Sequence, residues 1–209
     1  MGLHLNKPYY LPDYAIDPEE FDRAFDKTVG RGDWWCFDHW GSTNIDHLLS
    51  KIRYMAVSLG VRAIVLDHIS IIVSGLEDDV SSDERKTIDR LMTKLRSLIE
   101  ETGVCILAVV HVKRPQQGKS WNEGREISLT DLRGSGSLEQ ISDVVIALSR
   151  NQQGQTPNIA NIKVLKNRPV GTCGRAGSVL WVPETGRLIP YDSPDTCPFE
   201  GDPGEGRDF

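Results

Sequence analysis

The sequence predicts an α/β fold with a mainly parallel sheet, helices on both faces of that sheet and added antiparallel strands near the C-terminus. Two observations predict the parallel part: apolar runs of strand length, and segments of helical periodicity between them. Strands that read as nearly continuous apolar runs are typical of a sheet that is buried on both faces. Glycine-rich turns separate the later apolar segments, which favours antiparallel pairing there.

The predicted strands fall into two groups along the chain. The first group alternates with helices and should therefore pair in parallel. Its members are Trp34–Asp38, Val61–Asp67 and Val104–Val110. The second group follows a polar segment, and its members are Val144–Leu148, Ile162–Leu165 and Ser178–Val182.

Two helices are predicted between the strands of the first group. Ser42 or Thr43 can cap the first helix, and Gly60 can end it. Gly103 can end the second helix. Each helix has one apolar face at helical spacing. These faces comprise Ile45, Leu48, Leu49, Ile52, Met55 and Leu59 in the first helix, and Ile88, Leu91, Met92, Leu95, Leu98 and Ile99 in the second.

The chain divides into three predicted regions. Residues 1–30 are rich in proline and charge and form an irregular lead-in, with one short helix around Phe21 and Phe25. Residues 31–190 form the folded core. Residues 191–209 combine proline, glycine and acids, which bury too little apolar surface to fold, so this segment is predicted to be a disordered acidic tail.

Composition narrows the class of protein. No run of about 18 apolar residues is present, and no basic start precedes an apolar core, so the sequence predicts no membrane partner and a cytoplasmic location. The net charge of −6 does not favour nucleic-acid binding by the whole surface, although a local basic patch can still provide it. The four cysteines lack metal-ligand spacing and are expected to be free thiols.

Polar side chains follow two of the predicted parallel strands. Asp67 ends the first of them, and His111 follows the second. Ligands of open α/β sheets bind at the carboxyl ends of the strands. We therefore expect Asp67 to bind Mg²⁺ through water and His111 to donate a hydrogen bond to a γ-phosphate oxygen. The alternatives are a helix cap for Asp67 and a structural role for His111.

A basic segment follows His111 and is expected to be a flexible loop. Its basic residues are Lys113, Arg114, Lys119 and Arg125. Cations on a loop can follow a phosphate backbone without reading the bases. A solvated loop without a ligand is the alternative. The tripeptide Gly118–Ser120 resembles the end of a P-loop, but the position that would need the first glycine of that motif holds Lys113.

Three segments, in this order and spacing, resemble one family. They are Ile64–Ser70 (IVLDHIS), Asp131–Gly136 (DLRGSG) and Arg150–Gly154 (RNQQG). The chain resembles the helicase half of the primase–helicases of T-seven-like phages and, more distantly, the mitochondrial replicative helicase and bacterial DnaB. The resemblance runs from about Gly2 to Pro190.

This resemblance implies a RecA-like P-loop NTPase core that forms a six-membered ring on single-stranded DNA. Such a motor uses ATP or dTTP, together with Mg²⁺, to translocate from 5′ to 3′ and to unwind duplex DNA at the replication fork. The acidic tail and its final Phe209 also resemble a segment that recruits DNA polymerase. A tail that only aids solubility is the alternative.

The resemblance also implies roles for residues of the nucleotide site. Asp67 falls on the Walker B acid, and His111 falls on the histidine that senses the γ-phosphate. Arg168 falls on the arginine finger that reaches the nucleotide of the neighbouring subunit, and Lys166 lies beside it.

Two further sets of residues are implied by the resemblance. Arg150 and Trp181 match a pair that holds the nucleotide base, and a guanidinium plane and an aromatic face suit such a sandwich. The DNA-binding positions are Lys113, Lys119, Arg133 and Gly134.

Part of the family pattern lies outside these 209 residues. The P-loop unit and the glutamate that activates water precede the segment that matches Gly2–His4. Three interpretations therefore stay open: a helicase part that works in a ring with a chain that supplies the P-loop, a non-catalytic remnant that binds DNA or recruits polymerase, and another RecA-like ATPase of the recombinase or KaiC type. The DLRGSG and RNQQG segments weigh against the last of these.

We predict that the 209-residue chain by itself hydrolyses no ATP, because the P-loop backbone and lysine supply most of the phosphate binding and charge stabilisation in such motors. DNA-stimulated ATP turnover of the purified chain is the measurement. Clear turnover that disappears in Asp67→Asn would contradict the prediction.

Overall fold

A computed structural model of the protein describes residues 5, 7, 11–12, 15–37, 44–69, 84–132 and 136–192. Several sequence predictions lie outside these residues and stay predictions. They concern Asp38, the predicted DNA contacts of Arg133 and Gly134, and the acidic tail from residue 193 to Phe209.

The lead-in contains the short helix that the sequence predicts. Helix α1 spans Pro18–Asp26 and begins with a proline, which suits the first helical position because its missing N–H would have no partner there. A 3₁₀ turn, Val29–Arg31, follows. Phe21 and Phe25 both lie on α1 and remain partly exposed.

Helix α2 spans Ile45–Val57 and supplies one wall of the core. Its cap is Asn44, whose side chain accepts the backbone N–H of Asp46 at 2.8 Å. The prediction of Ser42 or Thr43 as the cap was therefore wrong; an amide oxygen satisfies the free N–H equally well. The predicted stop at Gly60 is confirmed, since this residue has a φ of 68° just after the helix.

Helix α3 spans Glu84–Thr102 and supplies the second wall. The predicted stop is confirmed: Gly103 has a φ of 70°, and its N–H donates to the carbonyl of Ile99 at 2.8 Å. The predicted apolar face of α3 is deeply buried, with Leu91 fully buried. It packs against the apolar face of α2 in a single hydrophobic cluster.

Two parallel strands lie against these helices. Strands β1 (Ala63–Leu66) and β2 (Cys105–Ala108) are paired in register from Ala63 with Cys105 to Leu66 with Ala108. The predicted parallel arrangement is confirmed. Ile64 and Leu66 point into the helical cluster.

The opposite face of the pair is open. Val65 and Leu107 lie on it and are both largely exposed. The described helices α2 and α3 therefore cover one face of β1 and β2, where near-continuous apolar strands predict cover on both faces.

The aromatic segment before α2 is not a strand. Residues 33–37 have no regular secondary structure, so the predicted strand Trp34–Asp38 was wrong over its described part. A strand needs a hydrogen-bonded neighbour, and β1 pairs only with β2 among the described strands. Trp34, Trp35 and Phe37 instead line a cavity of about 600 Å³ beside β1 and α2.

The C-terminal half forms a four-stranded antiparallel sheet in the order β3–β4–β5–β6. Its strands are β3 (Val144–Arg150), β4 (Ile159–Asn167), β5 (Gly174–Val182) and β6 (Arg187–Tyr191). The predicted antiparallel strands are confirmed. Strand β6 and the short helix α4 (Gly136–Ile141) were not predicted.

Tyr191 therefore belongs to the folded part rather than to the predicted tail, because it pairs with Ser178. Cys36, Cys105 and Cys173 are free, as predicted. No helix in the described ranges has the length and apolarity that a bilayer span requires.

The packing predicts unequal costs for one substitution at two sites. Leu91→Ala should lower the free energy of unfolding by about 2–5 kcal/mol, because it leaves a cavity at a fully buried position. Leu107→Ala deletes the same atoms on the open face, where the side chain is 60% exposed, and should cost about 0.5 kcal/mol or less. Urea unfolding measures both, and equal costs would show that the face bearing Leu107 is covered.

Candidate functional site

Asp67 and His111 lie at one edge of the parallel pair. Two backbone hydrogen bonds continue the pairing beyond the strands: Val109 N–H to the carbonyl of Leu66 at 2.9 Å, and Ile69 N–H to the carbonyl of Val109 at 3.1 Å. These bonds bring the residues after β1 alongside the residues after β2. The sequence prediction that both strands end in polar groups at the same edge is confirmed as geometry.

His68 connects the two strand ends and was missed as a site residue. Its ring meets the ring of His111 edge to face, with centroids 4.2 Å apart. The Nδ1 atom of His68 is buried and has no hydrogen-bond partner in the described part of the chain. The sequence offered one signal for this residue: His68 directly follows Asp67 at the polar end of β1.

The Asp67 carboxylate fits a water-mediated Mg²⁺ contact. It is exposed at the end of β1, and no hydrogen bond or ion pair to another described residue occupies it. The described residues contain no group of three potential ligands around one point. Mg²⁺ in nucleotide sites is usually held by one or two carboxylates, waters and phosphate oxygens rather than by an all-protein cage.

The basic segment after His111 is fastened to the rest of the domain, in contrast to the flexible loop that its composition predicts. Lys113 donates its backbone N–H to the carbonyl of Asp131 at 2.7 Å, and its ammonium donates to the carbonyl of Thr130 at 3.1 Å. Trp121 donates its indole N–H back to the carbonyl of Lys113 at 2.8 Å. Lys119 is exposed within this closed segment.

The same segment is joined to the turn after β3. Gln152 donates its backbone N–H to the carbonyl of Asn122 at 2.9 Å. The side chain of Asn151 lies between Gly124 and Gly154, where an added Cβ would approach it to 3.1 Å and 2.8 Å respectively. A Cβ at either position would crowd this amide, so the two segments meet closely.

A polar cavity of about 340 Å³ lies beside this junction, against the antiparallel sheet. Glu126 lines this cavity and accepts hydrogen bonds from Lys163 at 3.1 Å and Arg175 at 3.2 Å. The Lys163 ammonium, followed by the Arg175 guanidinium, lowers the pKa of Glu126 below its ordinary value. Sequence reasoning missed this cluster because its members lie far apart along the chain.

Arg150 and Trp181 converge on the turn that precedes β4. Arg150 donates through Nε to the carbonyl of Pro157 and through Nη2 to the side-chain oxygen of Asn158, the latter at 3.4 Å. Trp181 donates its backbone N–H to the carbonyl of Asn158 at 2.9 Å. The two predicted base-binding residues thus lie at the same end of the antiparallel sheet.

Lys166 and Arg168 lie at the other end of this sheet and contact the end of α4. Lys166 donates to the carbonyls of Glu139 and Gln140. Arg168 donates to the carbonyl of Gln140 and, at 3.0 Å, to Asp143. Cations are favourable at a helix C-terminus, where the last carbonyls lack partners.

Asp143 also accepts a hydrogen bond from Arg96 of α3 at 2.8 Å. One carboxylate therefore holds two arginines. The hydrogen bonds of Arg168 to described residues go to Asp143 and to the end of α4, and none goes to Asp67.

The helix-backed parallel pair, followed by an antiparallel sheet, is an α/β arrangement of the RecA-like fold class. Solved structures support this fold. A DnaB-like replicative helicase superposes with a TM-score of 0.70 at 19% identity, over 88% of this chain and 44% of that one. A solved ATPase domain superposes with a TM-score of 0.65 at 21% identity, over 86% and 62%.

The sequence comparisons identify the family. The model of the DnaB-like helicase C-terminal domain matches residues 21–185. The DNA helicase/primase of Enterobacteria phage T3 is 46% identical over 186 residues, which make up 89% of this chain and 31% of that protein. The replicative helicase DnaB of Treponema pallidum is 30% identical over 125 residues, or 60% and 26%. The chain belongs to the DnaB-like helicase C-terminal domain family.

This membership confirms the predicted family and decides against a recombinase or KaiC-type ATPase. The chain spans about a third or less of the length of these curated relatives. The roles assigned to individual residues stay predictions.

The basic segment should respond to acid through Glu123. The backbone N–H of Ser120 donates to this carboxylate at 2.6 Å. That hydrogen bond, followed by the Ser120 side chain and then by the charge of Lys119, lowers the pKa of Glu123 below its ordinary value. A carboxylate with a lowered pKa in the fold keeps its contact above the ordinary value and loses it as the pH falls through the lowered one.

We expect the Ser120 amide chemical shift to titrate by NMR with a midpoint below the ordinary glutamate value. Glu123→Gln should abolish this titration without unfolding the chain. A midpoint at or above the ordinary value would contradict the hydrogen bond.

Proposed function

We propose that this domain is the motor part of a replicative ring helicase, which couples NTP hydrolysis to 5′–3′ translocation on single-stranded DNA and to duplex unwinding. One observation supports the proposal above others. The chain runs from His111, beside Asp67 at the sheet edge, to Lys113 with a single residue between them. The residue proposed for the nucleotide and the residue proposed for the DNA are therefore joined by one short, backbone-bonded segment.

At the nucleotide, the proposed roles follow from the chemistry of the sheet edge. Mg²⁺ would neutralise charge on the phosphates when bound. Asp67 would hold a water of that ion, because its carboxylate is exposed and has no other partner in the described chain. His111 would donate a hydrogen bond to a γ-phosphate oxygen, and the ring of His68 limits the directions in which the His111 imidazole can turn.

The base of ATP or dTTP is proposed to lie between Arg150 and Trp181. The turn at Pro157 and Asn158 holds both residues at one end of the sheet. A planar guanidinium and an aromatic face both stack on a base with little regard to its hydrogen-bonding edge.

Arg168 is proposed to act as an arginine finger toward the nucleotide of a neighbouring subunit, with Lys166 beside it. Its present partner does not prevent this. The Arg168–Asp143 ion pair is about half exposed on both sides, and such pairs contribute about 0–1 kcal/mol. A triphosphate of higher charge can therefore displace Asp143 at little cost, and the hydrogen bond to the Gln140 carbonyl would open with it.

The proposed ring is a hexamer, or a ring with a chain that supplies the P-loop, and it would act in the cytoplasm of a host cell. Single-stranded DNA is its proposed partner through Lys113 and Lys119, together with Arg133 and Gly134, which lie outside the described residues. The acidic tail and Phe209, also outside them, are proposed to contact a DNA polymerase.

The DNA contact can be tested on the chain itself. We expect Lys113→Ala and Lys119→Ala each to weaken binding of a fluorescent oligo-dT and to reduce the slope of log affinity against log salt by about 0.7, as loss of one phosphate contact on a single strand predicts. Fluorescence anisotropy at several salt concentrations measures both quantities.

Lys27→Ala is the matched control, because Lys27 is an exposed lysine outside the segment. It should leave affinity and slope unchanged. Binding that is equal in the wild type, Lys113→Ala and Lys119→Ala would contradict the proposed DNA contact.

A further inference from the structure

Two side chains close the basic segment from its C-terminal side. Trp121 reaches the start of the segment through the hydrogen bond from its indole N–H to the carbonyl of Lys113, at 2.8 Å. Arg125 reaches the middle, where it donates to the carbonyl of Gln117 at 2.9 Å. The guanidinium of Arg125 also lies 5.0 Å from the centroid of the Trp121 ring, within the range of a cation–π contact. Trp121 and Arg125 therefore hold the segment at two separate points.

The residue that anchors this pair, Asp131, is itself held by hydrogen bonds. Arg125 lies 3.8 Å from the carboxylate of Asp131. That carboxylate accepts the backbone N–H of Ser128 at 2.9 Å and the Ser128 hydroxyl at 2.7 Å. The backbone carbonyl of Asp131 accepts the N–H of Lys113 at 2.7 Å. One residue thus anchors both the first lysine of the segment and the arginine that holds its middle.

We propose that Trp121 is a positioning residue for the binding of single-stranded DNA, and this rests on the proposed function of the basic segment. The hydrogen bond to Lys113 holds the backbone between Lys113 and Lys119 in one arrangement before DNA arrives. A free loop would lose backbone conformational entropy on binding, and this loss weakens affinity. The fastened segment has already lost that entropy on folding.

Direct stacking of Trp121 on a DNA base is a different role that the same residue offers. Its indole N–H is occupied by Lys113 and its ring carries the Arg125 guanidinium, which favours positioning. Trp121→Phe separates the two roles, because phenylalanine keeps an aromatic face but has no N–H. Trp121→Ala removes both.

The test uses the 209-residue chain, a fluorescent oligo-dT and amide hydrogen exchange. We expect Trp121→Phe to raise the dissociation constant about fivefold, as loss of one hydrogen bond predicts, with an unchanged salt slope because every cation remains. The Lys113 amide, which donates to the carbonyl of Asp131, should exchange faster in Trp121→Phe. Lys119→Ala should show the opposite pattern, with a reduced slope and unchanged exchange.

The outcomes separate this inference from the function on which it rests. Wild-type affinity in Lys113→Ala and Lys119→Ala would contradict the proposed DNA contact itself. Reduced affinity in these variants, with wild-type affinity or wild-type exchange in Trp121→Phe, would overturn the positioning role alone. Loss of affinity only in Trp121→Ala would assign Trp121 to base stacking instead. An unchanged urea midpoint in Trp121→Phe shows that the fold is retained.

Discussion

The parallel pairing of β1 with β2 is the constraint on which the candidate site depends. The backbone bond from Val109 to Leu66, and the next one from Ile69 to Val109, continue this pairing past the ends of both strands. They set Asp67 and His111 at one edge and bring the ring of His68 against the ring of His111. The helical cluster keeps the strands in place by burying Ile64 and Leu66 on the opposite side from Val65. Burial of apolar side chains in the core thus fixes the strands, and the strands fix the positions of Asp67 and His111.

The second organising feature is the attachment of the basic segment to the antiparallel sheet. The hydrogen bond from Gln152 to Asn122 and the close fit of Asn151 against Gly124 join the segment to the residues that follow Arg150. A shift of the proposed base contact therefore has a short mechanical route to the proposed DNA contact. Coupling of this kind needs two arrangements of the same contacts.

The sequence predicted best where one local rule applies without competition. Helices α2 and α3 and the stop at Gly103 follow from apolar spacing and from the backbone freedom of glycine. The sequence-based prediction failed where a neighbouring strand decides whether a segment forms a strand. Trp34–Phe37 has the composition of a strand but joins neither of the described sheets, and β6 forms because β5 offers an edge to a weakly patterned segment. The choice of Asn44 over its neighbours as the cap depends on where the chain enters α2, which composition does not specify.

By itself, the sequence determined the α/β class, the order of the main elements and the motifs that mark a DnaB-like helicase domain, because periodicity and strand-end residues are local properties. Tertiary structure alone decided which groups meet. The approach of His68 to His111, the two arginines on Asp143 and the bond from Trp121 to Lys113 join residues whose separation in sequence carries no signal of contact. These contacts exist because the paired strands and the packed helices fix their backbones, and side-chain chemistry then uses the distances that result.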